Sequence, residues 1–179
     1  MEKSFLVTYA SKYGSTEEIA KTIAETIRSH GAAVDVLPWG EVKSLERYDA
    51  VIIGSAVRFG AWMKEAIEFV KTNQRELAGM PVAIFSVYIL NQGNEVEHLA
   101  ARESYTALIH SLIPPRAEAF FPGVIEMDQL SLPEKMITKT VKAGTGDFRD
   151  WYKIKEWAET AWHLLSLEKA HHQRPDQPA

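Results

Sequence analysis

The chain has 179 residues, 46% hydrophobic and 25% charged, with a formal net charge of −4 and no cysteine. That length and usage predict one globular domain, and they exclude disulfides, thiolate metal sites, iron–sulfur clusters and cysteine nucleophiles. The mildly acidic balance, without a groove-reading motif, gives no drive toward nucleic acid. No apolar run approaches a spanning helix, and Met1-Glu2-Lys3-Ser4 leads straight into a strand without a signal-peptide layout. The expected location is therefore cytoplasmic or peripheral to the inner face of a membrane.

In chain order, "SFLVTYA" reads as a buried strand, because a central parallel strand is covered on both faces and loses polar alternation. "STEEIAKTIAETIRSHG" follows as a helix, with Ile19, Ala20, Ile23, Ala24 and Ile27 on one face and Gly31 as its stop. Strands are expected in "AAVDVLP" and "YDAVIIGSA", a helix in "WMKEAIEFVKTNQREL", and a fourth strand in "MPVAIFSVYI". A helix at about Glu95 to Leu112, a fifth strand in "AEAFFPGVI" and a last helix from Trp151 to about Leu167 complete the pattern. Asp150 is the expected N-cap of that helix, and Trp151, Ile154, Trp157 and Ala158 have core spacing. Such alternation predicts a doubly wound α/β fold over residues 1–168, with residues 169–179 as a disordered tail.

Residues 126–149 are too long for a simple connection before the last helix. Within this insertion "SLPEKMITKTVK" has helical spacing, with Ser131 and Glu134 as a capping box. Leu132, Met136, Ile137 and Val141 fall on one side, and Lys135, Lys139 and Lys142 largely on the other. The apolar side suits either packing on the parent domain or weak attachment to an anionic membrane.

Ligands of open α/β sheets bind at the carboxyl ends of strands. At the first of these, "TYASKYGST" gathers four serine and threonine hydroxyls and a glycine between strand and helix. A phosphate there would meet the helix N-terminus, the hydroxyls of Ser11, Ser15 and Thr16, the charge of Lys12 and the bare backbone of Gly14. The loop is neither a Walker A loop nor a dinucleotide fingerprint, so a mononucleotide fits better. The competing reading is a plain capping box of Ser15 and Glu18, favoured by Glu17 and Glu18 in the first turn. Two further strand ends carry small and aromatic residues: "GSAVRFGAW" with Arg58, Phe59, Gly60 and Trp62, and "SVYILNQGN" with Tyr88 and Gly93. Phosphate donors followed by two aromatic loops suit a flat ring with a phosphate tail. For Trp62 taken alone, packing against the sheet is the favoured reading. The six histidines show no metal spacing, so no metal site is expected.

The pattern Ser11-x-x-Gly14-x-Thr16 after a first strand resembles the FMN phosphate loop of flavodoxins. The resemblance implies a five-stranded parallel sheet of order 2-1-3-4-5 with FMN as cofactor. It implies a phosphate site in Ser11, Lys12, Tyr13, Gly14, Ser15 and Thr16. The ring would lie between Ser55, Ala56, Val57, Arg58, Phe59, Gly60 and Trp62 on one side and Ser86, Val87, Tyr88, Asn91 and Gly93 on the other. Tyr13 departs from the small hydroxyl residue of many flavodoxins. "IIGSAVRFGAW", "FSVYILN" and "DFRDWYKIKEWA" look most like the menaquinone-dependent protoporphyrinogen oxidases, which also carry a late insertion.

Residues 135–155 hold six basic side chains against two acidic ones, unlike the acidic surround of single-electron carriers in the resembled family. A cation such as Arg58 near the flavin would favour two-electron chemistry, and a basic surface would suit porphyrin propionates or anionic lipid. The expected activity is an FMN-dependent dehydrogenation of protoporphyrinogen IX with a quinone as acceptor. A flavodoxin-type electron carrier or quinone reductase is the first alternative, and a cofactor-free interaction module the second. A homodimer is left open.

Overall fold

Each apolar run becomes a strand of one parallel sheet in the computed structural model of the protein, which describes residues 2–140 and 144–167. The elements are β1 (Ser4–Ala10), α1 (Ser15–Arg28), β2 (Ala33–Pro38), β3 (Ala50–Arg58), β4 (Ala61–Trp62), α2 (Lys64–Thr72) and α3 (Gln74–Gly79). They continue with β5 (Val82–Tyr88), α4 (Val96–Ser104), α5 (Ala107–Leu112), β6 (Ala117–Pro122), β7 (Val124–Ile125), α6 (Leu132–Thr140), β8 (Gly146–Asp147) and α7 (Trp151–Ser166). The order β2-β1-β3-β5-β6 is that expected of the five parallel strands.

The two-residue period of a strand divides the core between two faces. Phe5, Val7 and Tyr9 of β1, Ala50 and Ile52 of β3, and Ala83, Phe85 and Val87 of β5 meet α1 and α7. Leu6 and Ala10, Val51 and Ile53, and Val82 and Ile84 meet α2, α3 and α5 on the other face. Asp150 caps α7 by accepting the backbone N–H of Lys153 at 3.1 Å, as its position predicts. Ile154 and Ala158 are fully buried.

Three expected elements differ. The helix predicted from Trp62 starts at Lys64, because Ala61 and Trp62 first fold back on β3 in a hairpin, with Val57 opposite Trp62 and Arg58 opposite Ala61. That helix also breaks at Asn73, and the one predicted over 95–112 breaks at Tyr105 and Thr106. Thr106 donates its hydroxyl to Glu118 of β6 at 2.6 Å, a tertiary tie that replaces a continuous helix. The fifth strand ends at Pro122, and β7 leaves the sheet to pair antiparallel with β8. The insertion carries its predicted helix, α6, while Val141, Lys142 and the expected tail lie outside the described residues.

On the apolar side of α6, Leu132 and Met136 do not pack on the parent domain. Leu132 and Met136 are 78% and 71% exposed, whereas Glu134 is turned toward the body. Among the described residues no helix is long and apolar enough to cross a membrane.

Candidate functional site

The carboxyl ends of β1, β3, β5 and β6 enclose a cavity of about 400 Å³, within the usual range for a small-molecule site. Its polar wall is the turn between β1 and α1. Gly14 takes a left-handed φ of 90° as the N-cap of α1, a conformation that a side chain would strain, and its N–H donates to Ser11 Oγ at 3.0 Å. The capping box of Ser15 and Glu18 does not form, since no side chain caps this helix. Glu17 instead takes Lys21 at 2.6 Å and Glu18 takes Arg149 at 2.6 Å, so both carboxylates are drawn off the helix terminus. The first-turn N–H groups are then available to an anion. Thr16 is fully buried and its hydroxyl has no partner among the described residues.

The apolar wall comes from the other strand ends, with Ala56 and Val57 from β3, Val87 with Ile89 and Leu90 from the end of β5, and Val124 and Ile125 from β7. Arg58, Phe59 and Gly60 line the mouth. Phe59 and Gly60 form the two-residue turn of the hairpin and both have positive φ, 52° and 77°, as a primed turn requires. Phe59 is thereby held 82% exposed beside the cavity. Among the described residues the other non-glycine position with positive φ is Asn91, at 63°, in the neighbouring loop.

Several residues placed here by the sequence lie behind the cavity instead. Trp62 is 3% exposed in the core and donates its indole N–H to Ser86 Oγ at 2.7 Å, so each satisfies the other's buried polar group. Ser55 accepts the N–H of Met63 at 3.0 Å and donates to the carbonyl of Ala56 at 2.9 Å, fastening the hairpin base. Tyr88 is buried under the Arg102 guanidinium, and Asn91 donates to the Tyr105 hydroxyl at 2.7 Å. Gly93 gives its carbonyl to Arg102 at 2.8 Å. Arg102, itself 8% exposed, also donates to the Asn91 carbonyl and so pins the loop after β5 from beneath. Arg102→Met should release residues 89–95 at a cost of about 1.5–3 kcal/mol, the range for hydrogen bonds to a charged group. Faster amide exchange confined to that loop is the expected readout, and unchanged exchange would show that the loop is held by other contacts.

One residue of the site was legible only as a helix cap. Glu134 of α6 reaches across the cavity mouth and accepts from Lys12 Nζ at 2.8 Å, from the Tyr13 hydroxyl and from Arg58. It also accepts the Ser131 N–H at 3.0 Å and the Ser131 hydroxyl at 2.6 Å, its expected capping contact. The donors Lys12, Ser131 and Tyr13 hold its carboxyl far below the usual carboxylate range. The contact is therefore present at and above the ordinary glutamate range, and is lost only as pH falls well beneath it. Leu130 and Thr138, from the same insertion, also line the cavity. The basic character of this rim is thus partly neutralised from within. Arg149 is likewise engaged, by Asp147, by Glu18 and by the Trp151 ring at 4.5 Å.

A family profile described as "Flavodoxin domain" matches residues 6–151. The chain belongs to the flavodoxin-domain family. Protoporphyrinogen IX dehydrogenase [quinone] of Escherichia coli K12 is 25% identical over 172 residues, covering 89% of this chain and 94% of that protein. An NAD(P)H dehydrogenase (quinone) of Acidovorax ebreus is 38% identical over 77 residues, covering 31% and 38%. Among solved structures, oxidised flavodoxin 1 from Bacillus cereus superposes with a TM-score of 0.58 at 18% identity, covering 92% of this chain and all of that one.

The cofactor of flavodoxin domains is FMN, and the residues present fit it. The buried, unpartnered hydroxyl of Thr16 stands at the start of α1, where a phosphate would be held. Gly14 has open space where a Cβ would lie. The apolar strand ends give walls for a flat ring.

Proposed function

We propose that this flavodoxin-domain protein is an FMN-dependent oxidoreductase that dehydrogenates protoporphyrinogen IX and passes the electrons to a quinone. The observation that carries the reading is the cavity mouth, where apolar walls end in Lys12, Tyr13 and Arg58 beneath a cover from the insertion. A macrocycle with acidic side arms, stacked at that mouth over the bound flavin, needs an apolar rim and cations side by side. The relative in E. coli that carries the corresponding name aligns along nearly the whole of both chains, which supports the same reading.

FMN, when bound, supplies an acceptor for two electrons. The chain's own part is binding, orientation and electrostatics. Ser11, Gly14, Ser15 and Thr16 with the α1 N-terminus would hold the phosphate. Ala56, Val57, Val87, Ile89 and Leu90 would exclude water from the ring. Arg58 would add positive charge near the reacting edge.

The test is anaerobic turnover by the FMN-loaded protein. Protoporphyrin fluorescence should appear when protoporphyrinogen IX and menadione are both present, and at a rate that depends on menadione. Quinone reduction by NADH with no porphyrinogen turnover would transfer the assignment to a quinone reductase, the reading favoured by the shorter match to the Acidovorax protein. The outward Leu132 and Met136 beside exposed Lys139 support a weak peripheral contact with anionic lipid, the source of a lipid-dissolved quinone.

A further inference from the structure

We infer that Lys12, Tyr13 and Arg58 form a carboxylate-binding cradle at the cavity mouth, taken in turn by Glu134 of the same chain and by a carboxylate side arm of the substrate. The inference deepens the proposed function and rests on its placing FMN in this cavity and the substrate at the cavity mouth. Glu134 shows what the cradle accepts: one carboxylate, bound through two cations and a phenol that come from two different strand-end loops. Two positive charges against one negative leave the cluster cationic, so an arriving anion is drawn to it.

The geometry also permits exchange. Lys12 and Arg58 are 43% and 26% exposed at the side chain, within reach of solvent, while the Glu134 side chain they cover is 12% exposed. Every hydrogen bond that ties α6 to the body of the protein, among the described residues, runs through Glu134. The outward Leu132 and Met136 add no packing that would hold the helix down. An arriving carboxylate meets the same three donors that Glu134 gives up, so the exchange trades like for like. Replacing the Glu134 carboxylate by another is then close to balanced, and α6 swings off the mouth when the exchange occurs.

The experiment uses the FMN-loaded full chain and two ligands of one shape, anthraquinone-2-carboxylate and the neutral anthraquinone-2-carboxamide, titrated by flavin fluorescence. Glu134→Gln removes the internal competitor and should tighten the carboxylate by about tenfold while moving the amide by less than about twofold. Adding Arg58→Gln should abolish that gain. Amide exchange of residues 132–140 should rise in Glu134→Gln, and in the natural protein on adding the carboxylate but not the amide. Equal responses to both ligands, absence of carboxylate binding in both proteins, or exchange in 132–140 that the carboxylate leaves unaltered would each overturn the cradle and make Glu134 a permanent tie. Loss of porphyrinogen turnover with these shifts intact would refute only the substrate named in the proposed function.

Discussion

Gly54→Ala is expected to lower the unfolding midpoint by roughly 6–12 °C, the shift that about 3 kcal/mol produces in a domain of this size. Gly54 of β3 lies opposite Phe85 of β5 in register, and the Phe85 ring lies across it. A Cβ there would stand 2.0 Å from the ring tip and 2.4 and 2.5 Å from its flanking carbons. The ring has no room to retreat, because Phe85 is fully buried with Phe121 and Trp157 both at 6.2 Å between centroids. Phe85→Ala empties the same space and should cost about 3–5 kcal/mol. The two sites share one volume, so Gly54→Ala combined with Phe85→Leu should cost clearly less than the sum of the singles. Thermal unfolding followed by circular dichroism measures all of these, and additive costs would mean that the clash relaxes elsewhere.

Thr16→Val should act with opposite sign on the empty and the loaded protein. In the empty protein the Thr16 hydroxyl is buried without a partner, a condition that costs about 1–3 kcal/mol, and replacing it by a methyl of similar volume relieves that cost. In the loaded protein the same hydroxyl is proposed to donate to the phosphate, and on that reading its loss should weaken FMN by about 1–3 kcal/mol, or roughly 5- to 150-fold in Kd. The apo midpoint should rise as the flavin affinity falls, measured by melting of the stripped protein and by fluorescence titration with FMN. A fall in both would return Thr16 to an ordinary structural role.

The difference between these residues and Glu134 lies in what a linear pattern can carry. The loop from Ser11 to Thr16 was legible because its donors are consecutive and follow a buried strand. The parallel sheet was legible because β1, β3 and β5 are apolar on both faces and alternate with helical spacing, whereas its strand order came only from the family resemblance. Trp62 was misplaced into a helix because its partner, Ser86, sits on another strand, and only the hairpin geometry at Phe59 and Gly60 sends the indole inward. Glu134 showed its bond to Ser131, three residues away, but not its bonds to Lys12 and Tyr13, more than a hundred residues away. Local spacing records caps and turns, and long-range electrostatics leaves no trace in it.

The short ribbon of β7 and β8 gives the insertion a closed neck. Val124 faces Asp147 and Ile125 faces Gly146, so the chain leaves the body and returns to it at adjacent points. Arg149 fastens the returning strand to α1 through Glu18, and the Phe148 N–H donates to the Gly123 carbonyl at 3.0 Å. The cost of closing a loop grows only slowly with its length, so such a neck tolerates segments of other lengths between its two strands. A descendant could trade residues 126–145 for a shorter or longer segment and so change what covers the cavity mouth, with the neck, the sheet and the turn between β1 and α1 all inherited unaltered.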